Sequence, residues 1–263
     1  VDDPSQVAAD QFRSDHAGLS LGPITIVIAA FNEEESVGAV AASVPAKLGG
    51  LSTSVLVVDD GSTDRTAEAA AAAGAVVCRL PVNQGQGAAL RLGYRMAVEN
   101  GARFLATLDA DGQWSAKDLP AVLEPVLSGH ADLVSGSRRL GHADTDISLV
   151  RSTGVVVFGT LIKALTRTRV TDPANGLRAM TAEVAGSVTL EQPQFQSAEL
   201  LLSAICRGFR FAEVPVGHGP RQAGRTKKGG NLFYGARFAR VIAATYVRER
   251  GWRRLVGAVD SRP

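Results

Sequence analysis

Short, continuous apolar runs recur along the first half of the chain: ITIVIAA (Ile24 to Ala30), SVLVVDD (Ser54 to Asp60), AVVCRL (Ala75 to Leu80), RFLATLDAD (Arg103 to Asp111) and ADLVSGS (Ala131 to Ser137). Ala-rich stretches with helical character separate most of them, over Glu33 to Lys47, Asp64 to Ala73 and Gly87 to Glu99. Strands that are apolar throughout, rather than alternating, are buried on both faces, and intervening helices indicate a parallel sheet covered on both sides. Asp64 is placed to cap the helix in DRTAEAAAAAG, and Gly74 to stop it. The pattern predicts an α/β fold with a mostly parallel sheet flanked by helices, as a single domain over 23–228. Residues 1–22 are polar and aperiodic and read as a flexible arm. Residues 229–263 read as a C-terminal helical segment, basic and aromatic.

Ligands of such sheets bind outside the carboxyl ends of the strands. Those ends carry Phe31-Asn32-Glu33, Asp59-Asp60-Gly61-Ser62, Asp109-Ala110-Asp111 and Ser137-Arg138-Arg139. The stretch FLATLDADGQW is the sharpest of them. In a β conformation Asp109 and Asp111 would point to one face about 6–7 Å apart along the chain. Two such charges repel unless a cation lies between them or open water surrounds them, so a metal site and a solvated turn are the two readings. A dinucleotide loop would put G-x-G-x-x-G after the first strand; FNEEES stands there instead, and no G-K-[ST] phosphate loop occurs. What remains suits a nucleotide whose phosphates arrive bridged by a hard divalent cation, Mg²⁺ or Mn²⁺.

Composition narrows the classes further. The chain has 263 residues, 45% hydrophobic and 21% charged, with a formal net charge of +2, too mild for nucleic acid on bulk charge alone. Cys78 and Cys206 lie in apolar segments and read as buried thiols. No apolar run has a spanning length, and no signal peptide is seen, so the expected location is the cytoplasm. The four histidines are scattered in polar segments and receive no role.

In order, IVIAAFNEEESV, VLVVDDGSTDRT, NQGQGAALRLGY, LDADGQW and VSGSR resemble family 2 glycosyltransferases of the GT-A fold. VTDPANGLRAM, QFQSAELLLSAICRGFRFAEVPVGH and RQAGRTKK are similar to the subgroup that transfers mannose or glucose to dolichyl or polyprenyl phosphate. The resemblance implies inverting transfer from a nucleotide-diphosphate sugar, with Mg²⁺ or Mn²⁺ on the diphosphate. It implies Asp109 and Asp111 as metal ligands, with Ala110 and Gln113 beside the diphosphate. Ala29, Phe31, Glu33 and Asp60 would line the nucleotide pocket, and Arg138 would face phosphates. Gln86 stands where relatives often carry Lys, and Asn175-Gly176-Leu177 where Ser-Gly-Phe is commoner.

Several residues keep two readings. Asp172 is either a turn residue before Pro173 or catalytic; Glu199, an isolated carboxylate on an apolar helix, is either paired or faces a cleft as a base. Arg221, Arg225 and Lys227 form either a solvated loop or a phosphate clamp. A hydroxyl acceptor needs a base, whereas a phosphate with its second pKa near ~6 arrives ionised and needs cations. Arg138, Arg151, Arg178, Arg221, Arg225 and Lys227 are the candidates for that purpose. Asn231 to Leu255 mixes aromatic and aliphatic residues with arginines, giving either an interfacial helix at the inner membrane face or a docking helix with a basic outer face. No nucleic-acid module accompanies it. Three classes remain: an enzyme acting on polyprenyl phosphate, a soluble one acting on a hydroxyl with Asp172 or Glu199 as base, and a non-catalytic nucleotide-sugar-binding domain, against which the intact Asp-x-Asp counts.

Overall fold

The computed structural model describes residues 3–141, 149–192, 195–219 and 232–259. The first half alternates as the pattern predicts: α1 (Pro4–Asp15), β1 (Ile24–Ala30), α2 (Val37–Ala42), β2 (Lys47–Leu48), β3 (Leu51–Asp59), α3 (Thr66–Ala72), β4 (Val76–Arg79), α4 (Gln86–Glu99) and β5 (Phe104–Asp109). The second half continues with α5 (Leu119–Leu127), β6 (Leu133–Ser137), α6 (Leu149–Thr166), β7 (Arg178–Thr181), α7 (Ala182–Ser187), α8 (Gln196–Arg207), β8 (Phe211–Pro215) and α9 (Leu232–Val259).

The sheet runs β2-β3-β1-β5-β7-β6-β8, with β4 also paired to β3. β1 lies parallel between β3 and β5, and β8 is parallel to β6, while β7 is antiparallel to both β5 and β6. Alternate residues of one strand feed opposite layers. Val27, Val58 and Leu105 pack with Phe12, Leu90, Met96 and Leu200 on one face. Ile26, Ile28, Val57 and Leu108 pack with Val40, Leu119 and Leu123 on the other. Each fully buried Ile or Leu contributes roughly 1.5–3 kcal/mol, which is why these strands carry no polar face. Cys78 and Cys206 are buried free thiols, and burial pushes Cys78 up to about 12.

Three expectations change. The flexible arm expected over 1–22 is ordered from residue 3: Asp3 caps α1 by accepting from the Ser5 N–H at 3.0 Å, Pro4 opens the helix, and Ala8, Ala9 and Phe12 are buried against the core. The helix expected over Glu33 to Lys47 shrinks to Val37–Ala42. After it, β2 and β3 form a hairpin that pairs Leu48 with Leu51 around Gly49-Gly50, at φ +54° and +80°. Positive φ at both central residues is what a tight two-residue hairpin turn requires. β7, unread in the sequence, inserts antiparallel between β5 and β6.

α9 docks through Phe238, Val241 and Ile242, with Phe238 against Phe158 and Phe195. Arg237, Arg240 and Arg250 stay exposed on its outer side, whereas Arg248 turns inward. Among the described residues, no helix is long and apolar enough to cross a membrane.

Phe12→Ala is expected to lower unfolding stability by about 3 kcal/mol in denaturant titration, the cost of emptying an aromatic core site. An unchanged midpoint would return α1 to a loose arm.

Candidate active site

The strand register brings the acidic ends together. Ala29 pairs with Val58 on one side and with Asp109 on the other, so the ends of β1, β3 and β5 lie side by side. β5 stops at Asp109, and Asp111 sits on the following turn, so the two carboxylates do not alternate along one strand. The Asp109 carboxylate accepts from Gln86 Nε2 at 3.1 Å and from Trp114 Nε1 at 3.0 Å. Gly176 closes against it: a Cβ there would lie 2.6 Å from Asp109 Oδ2, so only glycine leaves the carboxylate its place. Asp111 is 7% exposed and accepts from the Gln113 N–H at 3.1 Å, with Ala110 buried between the two acids. Among the described residues, no group of three or more His, Cys, Asp or Glu forms a metal cage.

β3 ends in two buried acids with different employment. Asp59 accepts from the Ser62 N–H at 2.9 Å and lies 3.2 Å from Arg79 Nε. Asp60 accepts from the N–H groups of Gln84 at 2.7 Å and Gly85 at 2.8 Å, the entry to α4. Burial raises its pKa, opposed by those two bonds and assisted by Asp59. Asp60 is expected to face the ligand; each of its oxygens also accepts one bond from the backbone of the neighbouring loop. Phe31 and Glu33 follow β1, and Glu33 is tied in place by its N–H to Thr66 Oγ1 at 2.9 Å.

Arg138 follows β6 and meets Asp172 in a fork: Nε to Oδ2 and Nη2 to Oδ1, both 2.7 Å. Burial lowers the Arg138 pKa, but the hydrogen bond and charge of Asp172, with Asp109 beyond, leave it raised. Its guanidinium carbon lies 5.6 Å from the centroid of the Trp114 ring. Asp172 is held in turn: its N–H and that of Thr171 donate to Glu213 at 2.9 and 2.8 Å. Thr107 Oγ1 donates to the Gly176 carbonyl at 2.6 Å, joining this loop to β5.

Two expected residues are not delivered to the surface of the site. Glu199 is fully buried, accepting from the N–H groups of Glu191 and Gln192 and from Arg248 Nη1 at 2.9 Å, so it pins α9 and has no open face for a base. Arg178 is 2% exposed and donates to the Ser197 carbonyl at 2.6 Å, so it is a cation under the site and not an acceptor contact. Burial pulls its pKa down to about 10, against the pull of Tyr94, Asp172, Asp109 and Glu213. Arg151 belongs to the first turn of α6, with its side chain outside the described residues; Arg221, Arg225 and Lys227 also lie outside them. Trp114 and Glu213 escaped the sequence reading. Glu213 left a signal, a single carboxylate inside the apolar strand FAEVPV, which is costly without partners.

The model of the glycosyl transferase family 2 domain matches residues 25–187. A glycosyltransferase of Mycobacterium tuberculosis is 35% identical over 209 residues, spanning 80% of this chain and 91% of the relative. The dolichyl-phosphate hexose transferase of Haloferax volcanii is 34% identical over 211 residues, spanning 78% and 86%. Among solved structures, glucosyl-3-phosphoglycerate synthase of Mycobacterium tuberculosis superposes with a TM-score of 0.66 at 23% identity, covering 92% of this chain and 84% of the synthase. That likeness shows the fold, the GT-A arrangement of a mostly parallel sheet between helices.

Arg138→Leu is expected to cost about 2–4 kcal/mol of stability, because it strands the buried Asp172 carboxylate; the partial exposure of Arg138 keeps the cost toward the lower end. Arg138→Leu combined with Asp172→Leu should recover part of that loss in denaturant titrations. A double variant no more stable than the single one would contradict the pairing.

Proposed function

The chain belongs to glycosyl transferase family 2, and we propose that it moves a hexose, mannose or glucose, with inversion from a nucleotide-diphosphate sugar to a polyprenyl phosphate. One observation carries the choice of acceptor. Neither candidate base is available: Asp172 is 1% exposed and gripped by Arg138, and Glu199 is fully buried under Arg248. A hydroxyl would need such a base, whereas a phosphate is largely dianionic above its second pKa of roughly 6. The Haloferax volcanii relative, named for transfer to dolichyl phosphate, supports the same acceptor class.

The donor half follows from the residues. Asp109 and Asp111 supply two hard oxygen ligands without a protein cage, which fits Mg²⁺ or Mn²⁺ completed by water and diphosphate. The fold neighbour was crystallised with Mn²⁺ and UDP. Bound there, the cation would absorb charge on the departing nucleoside diphosphate. Ala29, Phe31, Glu33 and Gln113 line the nucleotide side, and Asp60 shapes it by fixing residues 84 and 85. Arg138, oriented by Asp172, meets the approaching acceptor phosphate, since its planar fork matches phosphate oxygens. A phosphate oxygen then forms the bond to the anomeric carbon as the bond to the diphosphate breaks, giving a polyprenyl phosphate sugar and a nucleoside diphosphate. Arg151, Arg221, Arg225 and Lys227 supply further cations for the acceptor. The exposed Arg237, Arg240 and Arg250 of α9, with Val247 71% exposed, offer an anionic leaflet a basic surface on the cytoplasmic side.

The test is a transfer assay across UDP- and GDP-hexoses with Mg²⁺ or Mn²⁺, offering polyprenyl phosphate, 3-phosphoglycerate or simple glycosides. Transfer to polyprenyl phosphate alone is expected, abolished by chelator and by Asp111→Asn. Glu199→Gln should lower it only modestly, against the roughly 10²–10⁴-fold loss that removing a true base brings. Turnover on a glycoside or phosphoglycerate but none on polyprenyl phosphate would overturn the acceptor and promote the hydroxyl reading.

A further inference from the structure

Trp114 touches both halves of the site with two different parts of one side chain. It is 4% exposed, so its indole is fixed by packing, with the His218 ring edge-on at a centroid distance of 4.5 Å. Its Nε1–H donates to Asp109 Oδ2 at 3.0 Å. Its ring lies 5.6 Å from the Arg138 guanidinium carbon, within cation–π range. Asp109 belongs to the end of β5 and Arg138 to the end of β6, with β7 between them in the sheet. No hydrogen bond between Asp109 and Arg138 joins those ends; Trp114 spans the gap.

The alternatives for setting Asp109 are weaker. Gln86 also donates to it, at 3.1 Å, but from the exposed first residue of α4 and through a flexible amide. Gly176 limits the carboxylate only by contact. Arg138 has Asp172 to fix its edge, and the Trp114 ring lies over its guanidinium to fix the tilt of its plane. A rigid indole bonded to one charge and stacked on the other sets their relative position, which two separate loops cannot do.

We propose that Trp114 is a positioning residue for the transfer, holding Asp109 through its indole N–H and Arg138 through its ring face, so that one side chain aligns the donor carboxylate with the acceptor cation. The roles of Asp109 and Arg138 rest on the function proposed above; the coupling itself rests on the geometry alone. Groups that orient ligating carboxylates typically matter by 10–100-fold in affinity or activity. The indole and the ring should separate accordingly. Trp114→Phe keeps a ring under Arg138 and deletes the N–H, whereas Trp114→Leu deletes both.

Two measurements test this. With whichever UDP- or GDP-hexose and acceptor the transfer assay identifies, Trp114→Phe should raise the donor KM about tenfold and leave the acceptor KM within about twofold. Trp114→Leu should raise both. Parallel changes in the two constants for Trp114→Phe, or none, would overturn the proposal, because a purely structural loss does not distinguish substrates. The second measurement needs no substrate: the chain has two tryptophans, so ¹⁵N-indole spectra of the ligand-free protein carry two N–H signals, and Trp114→Phe assigns one. Asp109→Asn should shift that signal and speed its hydrogen exchange, while the Trp252 signal stays put. An unmoved Trp114 signal would sink the proposal even in an active enzyme. A moved signal in a protein that transfers no sugar would uphold the coupling and count against the function.

Discussion

A guanidinium with almost no access to water, Arg178, is the charge around which the site is arranged. It lies on β7, the strand that inserts between β5 and β6, and burial pulls its pKa down to about 10. That value is still well above neutrality, so the group stays charged in the interior. Removing such an ion from water costs several kcal/mol unless opposite charges compensate. Here Asp109, Asp172 and Glu213 lie close enough to oppose the loss. The same cation lets these acids gather at one sheet edge without mutual repulsion winning.

From that balance the remaining geometry follows. Glu213 is free to gather the backbone of residues 171 and 172. Asp172, presented by that loop, takes Arg138 in a bidentate grip, and Arg138 reaches the face of Trp114. Trp114 returns to Asp109, whose position Gly176 permits by lacking a side chain. Each acid buried on the acceptor side is thereby committed to a partner. A site of this kind has cations and oriented ligands to offer and little capacity to take a proton. The substrate best suited to it brings its own negative charge.

The parts of this legible in the sequence are those governed by local pattern. β1 is legible from Ile24 to Ala30 because six of its seven residues are apolar, with Pro23 before it and the polar Asn32-Glu33 shortly after it. The acids at the ends of β3 and β5 follow from the same rhythm. β7 was not legible, since Arg178-Ala179-Met180-Thr181 is four residues long and begins with a charge. The fork between Arg138 and Asp172 spans 34 residues, and no local rule connects them. The sequence leaves Glu199 between a paired carboxylate and a base for a related reason: its partner Arg248 is 49 residues away, and no local rule connects the two. α1 had a readable start, Asp3 before Pro4, outweighed by the polarity of its neighbours.

The central claim is that the acceptor arrives ionised and the protein takes no proton from it. The most direct measurement is the pH dependence of kcat/KM for polyprenyl phosphate at saturating sugar nucleotide and metal. The account predicts a single rise near the second ionisation of the phosphate, roughly pH 6, then a plateau through the alkaline range. It also predicts the same profile in Glu199→Gln and Asp172→Asn. A rise set by a protein group, one whose midpoint moves or disappears when either carboxylate is replaced, would contradict it.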